Sequence, residues 1–361
     1  MRVAFVIVGA LDHVSGGFHY DRMLITQLHT QGHAVDVIAL PWRSYLRSLL
    51  DNLVPGPLRA QQYDLVIEDQ LAHPALVWRN RRLRRAGPPI VSLVHNLTSC
   101  QPGTRVRPAV RGCERAYLRG VDGIVAVCAS TAADARACAG RDLVSHVAYA
   151  GRDGVGPASG LDAAAVTARA QVPGPLRVVF VGQVAPHKGL QRFLPVLAEV
   201  DGVTLDVAGS LAAAPGHVAQ IRAQAARLQL GERLRLHDQL GRTALAALLA
   251  RSHLLVMPSD REAYPLAALE ALGAGLPVLL TNQGGTSELL GDSGAGKLVE
   301  PDDTRGWAAA VAAFARDRGA LAVGGQAALQ RHRAHGTWAE SAAGVGNFLA
   351  RIVDQSRRRK T

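Results

Sequence analysis

Lysine is almost missing from this chain of 361 residues: it occurs only at Lys188, Lys297 and Lys360, and nearly all of the 40 basic side chains are arginines. Aromatic residues reach only 4%, so a core must be assembled from Leu, Val, Ile and Ala. The four cysteines, Cys100, Cys113, Cys128 and Cys138, are spaced 13, 15 and 10 apart. That spacing matches neither paired zinc ligands nor a redox C-x-x-C, so reduced structural thiols are expected. His95 and Cys100 lack a close second ligand pair, and no metal is expected. No apolar run approaches the roughly 18 residues needed to span a bilayer, which points to a cytoplasmic protein, soluble or peripheral to a membrane face. The run from Val3 to Leu11 lacks a small-x-small cleavage pattern and reads as a buried first strand rather than a leader. No 20–50-residue repeat occurs, which excludes a solenoid.

What is present is a globular composition, 48% hydrophobic and 19% charged, with a formal net charge of +11. At about 150 residues per domain the length suits two large domains. A basic protein seeks anions: nucleic acid, an acidic membrane or phosphorylated small molecules. Nucleic acid is disfavoured, because aromatic residues are few and no groove-reading module appears.

Short apolar runs alternate with amphipathic stretches. Val3 to Val8, Val35 to Leu40, Leu65 to Ile67, Ile90 to Val94, Gly123 to Val127 and His146 to Tyr149 read as strands, too continuously apolar for a sheet with one wet face. Helices are expected near 18–31, 74–86, 108–119 and 130–139. Glycines and prolines punctuate 151–175, where a linker with one Ala-rich helical segment is expected. The alternation restarts with strands at Val178 to Val181, Thr204 to Ala208, Leu254 to Met257 and Val278 to Thr281, and helices near 188–200, 216–229, 243–252, 265–274 and 303–316. The domains expected are 1–150, a linker 151–175, a second domain 176–336, and a C-terminal helix with a basic tail over 337–361 that returns to the first domain. The fold class is α/β with two doubly wound domains, whose ligands bind at the carboxyl ends of the strands.

Three segments carry chemistry. Ser15-Gly16-Gly17 precedes a helix, where glycines admit close backbone approach and a helix N-terminus attracts phosphate; a plain tight turn reads equally well. Gly182-Gln183-Val184-Ala185-Pro186-His187-Lys188-Gly189 follows a strand. A compact ammonium suits a point contact with phosphate, and at a helix start its charge opposes the dipole by roughly 0.3–1 kcal/mol, a cost that favours a nearby anion. Pro258 to Glu270 is the most specific. Pro265 suits the first turn of a helix, with Glu262 in the loop before it and Glu270 on it. The two carboxylates then bracket a helix N-terminus, as a nucleoside diphosphate sugar with hydroxyls on either side requires. On spacing alone, a dipole residue and an exposed helix residue explain the pair as well.

Together these segments resemble the retaining glycosyltransferases of family 4, which have the GT-B fold of two facing Rossmann-like domains with a cleft between them. The motifs are Gly16-Gly17 with Gly32-His33, Gly182 through Lys188-Gly189, Pro258-Ser259 with Glu262 and Glu270 in an E-x7-E pattern, and Gly284-Gly285 with Glu288. The resemblance implies a nucleotide-sugar donor, retention at the anomeric carbon, and catalysis without a metal or other cofactor; no D-x-D occurs. It gives Glu270 the ribose hydroxyls, Glu262 the donor sugar, and Lys188 the diphosphate, assisted by the amides of Gly16 and Gly17. His95 falls where the family places a histidine beside the transferred sugar, so His95, Lys188 and Glu262 are the catalytic expectations. Gly182, Gln183, Ser259, Ala263, Tyr264 and Leu266 complete the donor site.

The chain departs from the family at three places. Gln183 replaces the usual arginine, Ala263 and Pro265 replace the glycines of E-G-F-G-L, and Tyr149 to Asp153 lacks the interdomain asparagine. The base of the donor and the acceptor are not readable. Arg79, Arg81, Arg82, Arg84 and Arg85, with Arg105, Arg107, Arg111, Arg115 and Arg119, form a basic face suited to an anionic membrane surface. A catalytically silent nucleotide-binding protein and a sugar-nucleotide epimerase are the alternatives on the same scaffold.

Overall fold

A computed structural model describes residues 1–13, 15–54, 56–101, 107–153 and 161–360. It divides into unit 1, Met1–Gly151 with Gly336–Thr361, and unit 2, Arg152–His335. Of the 151–175 stretch, residues 154–160 lie outside the described residues, as does Arg105.

Unit 1 runs β1 (Arg2–Val8), α1 (Gly16–Thr30), β2 (Ala34–Leu40), α2 (Tyr45–Leu50), β3 (Leu65–Asp69), α3 (His73–Leu76), α4 (Arg79–Ala86), β4 (Ile90–Val94), α5 (Arg107–Leu118), β5 (Gly123–Ala126), α6 (Ala129–Ala139) and β6 (Ser145–Val147). Its six described strands are all parallel, in the order β2-β1-β3-β4-β5-β6. Val3 to Ile7 and Ile90 to Val94 are wholly buried, because helices cover both faces of the sheet. Each such aliphatic side chain contributes about 1.5–3 kcal/mol on burial. The single helix expected over 74–86 is two, α3 and α4, broken at Val77 and Trp78.

Unit 2 runs α7 (Ala163–Ala170), β7 (Leu176–Val181), α8 (Leu190–Glu199), β8 (Val203–Ala208), α9 (Pro215–Arg227), β9 (Leu234–His237), α10 (Arg242–Arg251), β10 (Leu254–Met257), α11 (Leu266–Gly273), β11 (Val278–Thr281), α12 (Thr286–Leu290), β12 (Gly296–Val299), α13 (Thr304–Arg316) and α14 (Arg318–Arg333). The parallel order β12-β11-β10-β7-β8-β9 is the doubly wound arrangement in which the chain leaves the middle of the sheet first in one direction and then in the other. Strands β9 and β12, absent from the sequence expectation, are the two edges. Their residues are mostly half-buried or exposed, so they lack the continuous apolar run of the central strands.

The last helix, α15 (Trp338–Lys360), belongs to unit 1. Trp338 lies edge-on to Tyr20 of α1 with ring centroids 5.0 Å apart, and Phe348 stacks on His146 of β6 at 5.7 Å. Ser341 Oγ donates to the Tyr149 carbonyl at 2.6 Å.

Candidate active site

In a doubly wound sheet the strands on either side of the reversal point end in loops that diverge, which leaves an opening at their carboxyl ends. In unit 2 those neighbours are β7 and β10. The loop after β7 is Gly182 to Gly189, and the loop after β10 is Pro258 to Pro265. Two of the three segments singled out in the sequence therefore meet by topology.

They also meet by side chain. Lys188 Nζ donates to Glu262 Oε1 at 2.7 Å, and Ser259 Oγ donates to the same oxygen at 2.5 Å. Glu262 is 9% exposed and Lys188 22%. Lys188 is not in helix α8 but in a 3-10 turn, Pro186–Lys188, ahead of it, so its charge stands outside the helix rather than at its first residue. The turn is held against the second loop. Asp260 N–H donates to the His187 carbonyl at 2.8 Å, and Arg192 of α8 binds the Asp260 carboxylate at 2.6 Å and the Pro258 carbonyl at 2.7 Å. Gly189 has φ +72°, and a Cβ there would collide with the Pro258 carbonyl. The family glycine at this position is thus explained by close approach of the two loops.

Glu262 is tied equally to the loop after β11. Its N–H donates to the Gln283 carbonyl at 3.2 Å and its carbonyl accepts from Gly285 N–H at 2.9 Å, forming a parallel bridge with Gly284. Gly284 has φ +85°, and a Cβ would strike the Glu262 carbonyl. Backbone on one side and Lys188 and Ser259 on the other therefore fix the Glu262 carboxylate.

Pro265 is not inside the first turn of α11 but precedes it as the N-cap, and the helix begins at Leu266. The Leu266 N–H already donates to the Tyr264 carbonyl at 3.0 Å and Ala268 N–H to the Pro265 carbonyl at 3.0 Å, so fewer amides are open to an anion here than the spacing suggested. Half-buried Ala263 follows Glu262, and the Tyr264 ring stacks on His335 at 5.9 Å. Glu270 lies in the second turn. Its carboxylate makes no hydrogen bond among the described residues, and burial, opposed by the Arg242 charge, pushes its pKa up to about 7. Gln183 sits in the loop whose Gly182 N–H pairs with the Ala208 carbonyl at 2.9 Å and whose Val184 N–H pairs with that of Ser210 at 3.2 Å. Arg192, on the helix that follows this loop, is committed to Asp260.

In unit 1, Gly16 and Gly17 are not a turn ahead of α1 but its first two residues, capped by Ser15 Oγ, which accepts from Phe18 N–H at 3.3 Å. The face of Gly17 lies against the His95 ring, 3.8 Å from where a Cβ would stand. His95 Nε2 bonds Asp21 Oδ1 at 2.9 Å, and Asp21 is fully buried. Ligand atoms of Asp21, Asp69 and His95 lie within 4.8 Å of one another, a grouping with the donor set for a metal ion. Cys100 is not part of it. Burial first, then the Asp21 charge, raises the Asp69 pKa to about 7. Burial works against protonated His95, but the charge and hydrogen bond of Asp21, with Asp69 behind it, outweigh it and raise the His95 pKa.

Sequence reasoning missed Asp21 and Asp69. Asp69 ends β3, where the strand-end rule would have found it, and Asp21 is one turn beyond Gly17 on the same helix. Four of the ten arginines of the expected basic face are held by backbone carbonyls. Arg79 donates to the carbonyls of Asp51 and Val54, Arg84 to that of Arg119, Arg107 to that of Gln101, and Arg119 to that of Ala139.

Residues 168–331 match the family of glycosyl transferases group 1. A glycogen synthase of Mycobacterium tuberculosis is 32% identical over 186 residues, 50% of this chain and 44% of that protein. The chain thus spans less than half the length of the first curated relatives it matches. The sucrose-phosphate synthase structure from Thermosynechococcus elongatus superimposes with a TM-score of 0.82 at 19% identity, covering 98% of this chain and 99% of that one. Anabaena HepE in complex with UDP-glucose does so with a TM-score of 0.77 at 17% identity, covering 97% and 99%. The fold is GT-B, and no helix among the described residues is long and apolar enough to cross a membrane. Residues 168–331, most of unit 2, are thus similar to the glycosyl transferases group 1.

Proposed function

We propose that the chain is a retaining glycosyltransferase of family 4 that moves a sugar from a nucleoside diphosphate sugar held on unit 2 to an acceptor hydroxyl, with no resident metal or other cofactor. The observation that carries this reading is the meeting of Lys188, Glu262 and Ser259 at the reversal point of the second sheet. HepE, of the same fold, has been solved in complex with UDP-glucose, which makes a UDP-sugar the first donor to test.

The chemistry follows from charge. As the bond from the anomeric carbon to the phosphate oxygen breaks, negative charge grows on the departing diphosphate. An ammonium placed in advance stabilises that change without reorganising. Lys188 has three N–H donors, and Glu262 takes one, leaving two for phosphate oxygens. Glu262 in turn accepts sugar hydroxyls on its remaining lone pairs, and Glu270, with no hydrogen bond of its own, accepts those of the ribose. The acceptor oxygen bonds the anomeric carbon on the face the diphosphate leaves, and its proton passes to the diphosphate. A covalent intermediate on Glu262 is disfavoured by the resemblance to the retaining glycosyltransferases of family 4. His95 takes the catalytic role that the resemblance gives it, with its ring oriented by Asp21. Gly182, Gln183, Ala263, Tyr264 and Leu266 shape the donor side.

A thermal-shift screen of UDP-, GDP- and ADP-sugars tests this. A true donor at 100 times its Kd stabilises the native state by about 2.7 kcal/mol, a shift of several degrees, and NMR of the product shows retained anomeric configuration. Tight binding of a nucleotide with neither hydrolysis nor transfer would identify a silent binding protein instead.

A further inference from the structure

Helix α2 and the single turn that continues it, Asp51–Leu53, are built inside out. A surface helix normally turns its apolar stripe to the core. Here Ser48 and Asn52, four residues apart, are buried, while Leu46, Leu50 and Leu53, spaced as one helical face, are 75%, 61% and 68% exposed. The orientation is locked by Asn52. Its Nδ2 donates to the carbonyls of Leu49 at 2.9 Å and Pro74 at 2.7 Å, and its Oδ1 accepts from the N–H groups of Trp78 at 2.9 Å and Arg79 at 3.4 Å. Rolling the helix to bury its leucines would break all four.

The patch is wider than the helix. Trp42 before it and Val54 after it are more than half exposed, and Trp78, whose backbone is bonded to Asn52, is nearly so. In a chain with four tryptophans, two stand here, and the other two, Trp307 and Trp338, are buried. Large apolar side chains exposed in such number along one short stretch mark a partner. Charge says which one. Asp51 is the one acid within residues 41–54, and Arg43 occupies it at 3.0 Å. Arg47, and Arg81 and Arg82 on α4, are exposed and make no ion pair among the described residues. A two-fold contact between copies of this face would set like charges against each other. Anionic headgroups over an acyl layer complement both the cations and the leucines, and tryptophan favours that boundary.

We propose that the outward face of residues 42–54, with Trp78, docks on an anionic lipid bilayer, with Trp42 and the leucines at the headgroup–acyl boundary and Arg47, Arg81 and Arg82 on the phosphates. Only its consequence for the reaction, that the acceptor is lipid-anchored, rests on the glycosyltransferase reading. The full chain is mixed with vesicles of phosphatidylcholine containing 30% phosphatidylglycerol, or of phosphatidylcholine alone, and binding is read by co-sedimentation and by tryptophan quenching from brominated acyl chains. Binding to the anionic vesicles is expected, with quenching, and at least tenfold weaker binding to the neutral ones. Leu46→Ser with Leu50→Ser, at exposed positions, is expected to weaken it a further tenfold or more while leaving the thermal shift by UDP-sugar unchanged. Absence of vesicle binding, binding indifferent to the two serines, or a dimer that the serines convert to a monomer would each overturn the proposal. Loss of the nucleotide shift in the unmutated chain with vesicle binding intact would instead strike the donor reading alone.

Discussion

At the scale of single residues, the account turns on groups whose charge has been placed in advance. Lys188→Ala removes the ammonium and leaves Glu262, 9% exposed, with only Ser259 beside it. Turnover should fall by orders of magnitude with the fold retained, while the melting temperature drops modestly, since the pair is partly open to water. Steady-state kinetics and circular dichroism check both. Glu270 offers a pH test. Its folded pKa is raised to about 7 above its unfolded value, so the folded state binds more protons between about pH 4.5 and 7. Stability is therefore highest below that window and declines as pH rises through it. Glu270→Gln should raise the melting temperature at pH 8 and leave it nearly unchanged at pH 4. If ribose hydroxyls donate to this carboxylate, they favour its charged form, and nucleotide binding near pH 6.5 should release a proton, measurable by titration calorimetry in buffers of different ionisation enthalpy. Lys188, Glu262 and Glu270 were readable as candidates because lysine is rare and the carboxylates flank a predicted helix start. Asp21 was not readable, because nothing in a mid-helix aspartate announces that His95, over seventy residues away, will bond it.

At the scale of elements, the central strands were plain in the sequence and the edges were not. Val3 to Ile7 and Leu254 to Met257 are buried on both faces and read as apolar runs, whereas Leu234–His237 alternates leucine with arginine and histidine at an edge and gives no such signal. Helix α14 escaped because Gly324-Gly325 interrupts its pattern, yet Gly325 is where the helix lies against the Gly275 carbonyl. The break between α3 and α4 comes from tertiary bonds, since the Trp78 and Arg79 amides are drawn to Asn52. Asn52→Leu should accordingly cost about 2–4 kcal/mol, several hydrogen bonds with buried partners left unpaired, by urea denaturation. Gly284→Ala, at φ +85° against the Glu262 carbonyl, should displace the Glu262 loop and weaken nucleotide binding more than it weakens the fold, by calorimetry and thermal melting of the same variant.

At the scale of the whole molecule, unit 1 is made from both ends of the chain. Trp338, Phe348 and Ile352 are buried in it, so a chain ending at His335 should lose the unit 1 melting transition while unit 2 still binds nucleotide. The doubly wound class of both units was legible in the strand-helix rhythm, but the strand order was not, and the pairing of Lys188 with Glu262 depends on it, since the 3-2-1-4-5-6 order of the second sheet puts the ends of β7 and β10 side by side. The most direct test of that pairing's purpose is the position of a bound sugar nucleotide in crystals of the full chain. The account predicts diphosphate oxygens within hydrogen-bond reach of Lys188 Nζ and the ribose against Glu270; phosphates bound away from the loops after β7 and β10 would contradict it.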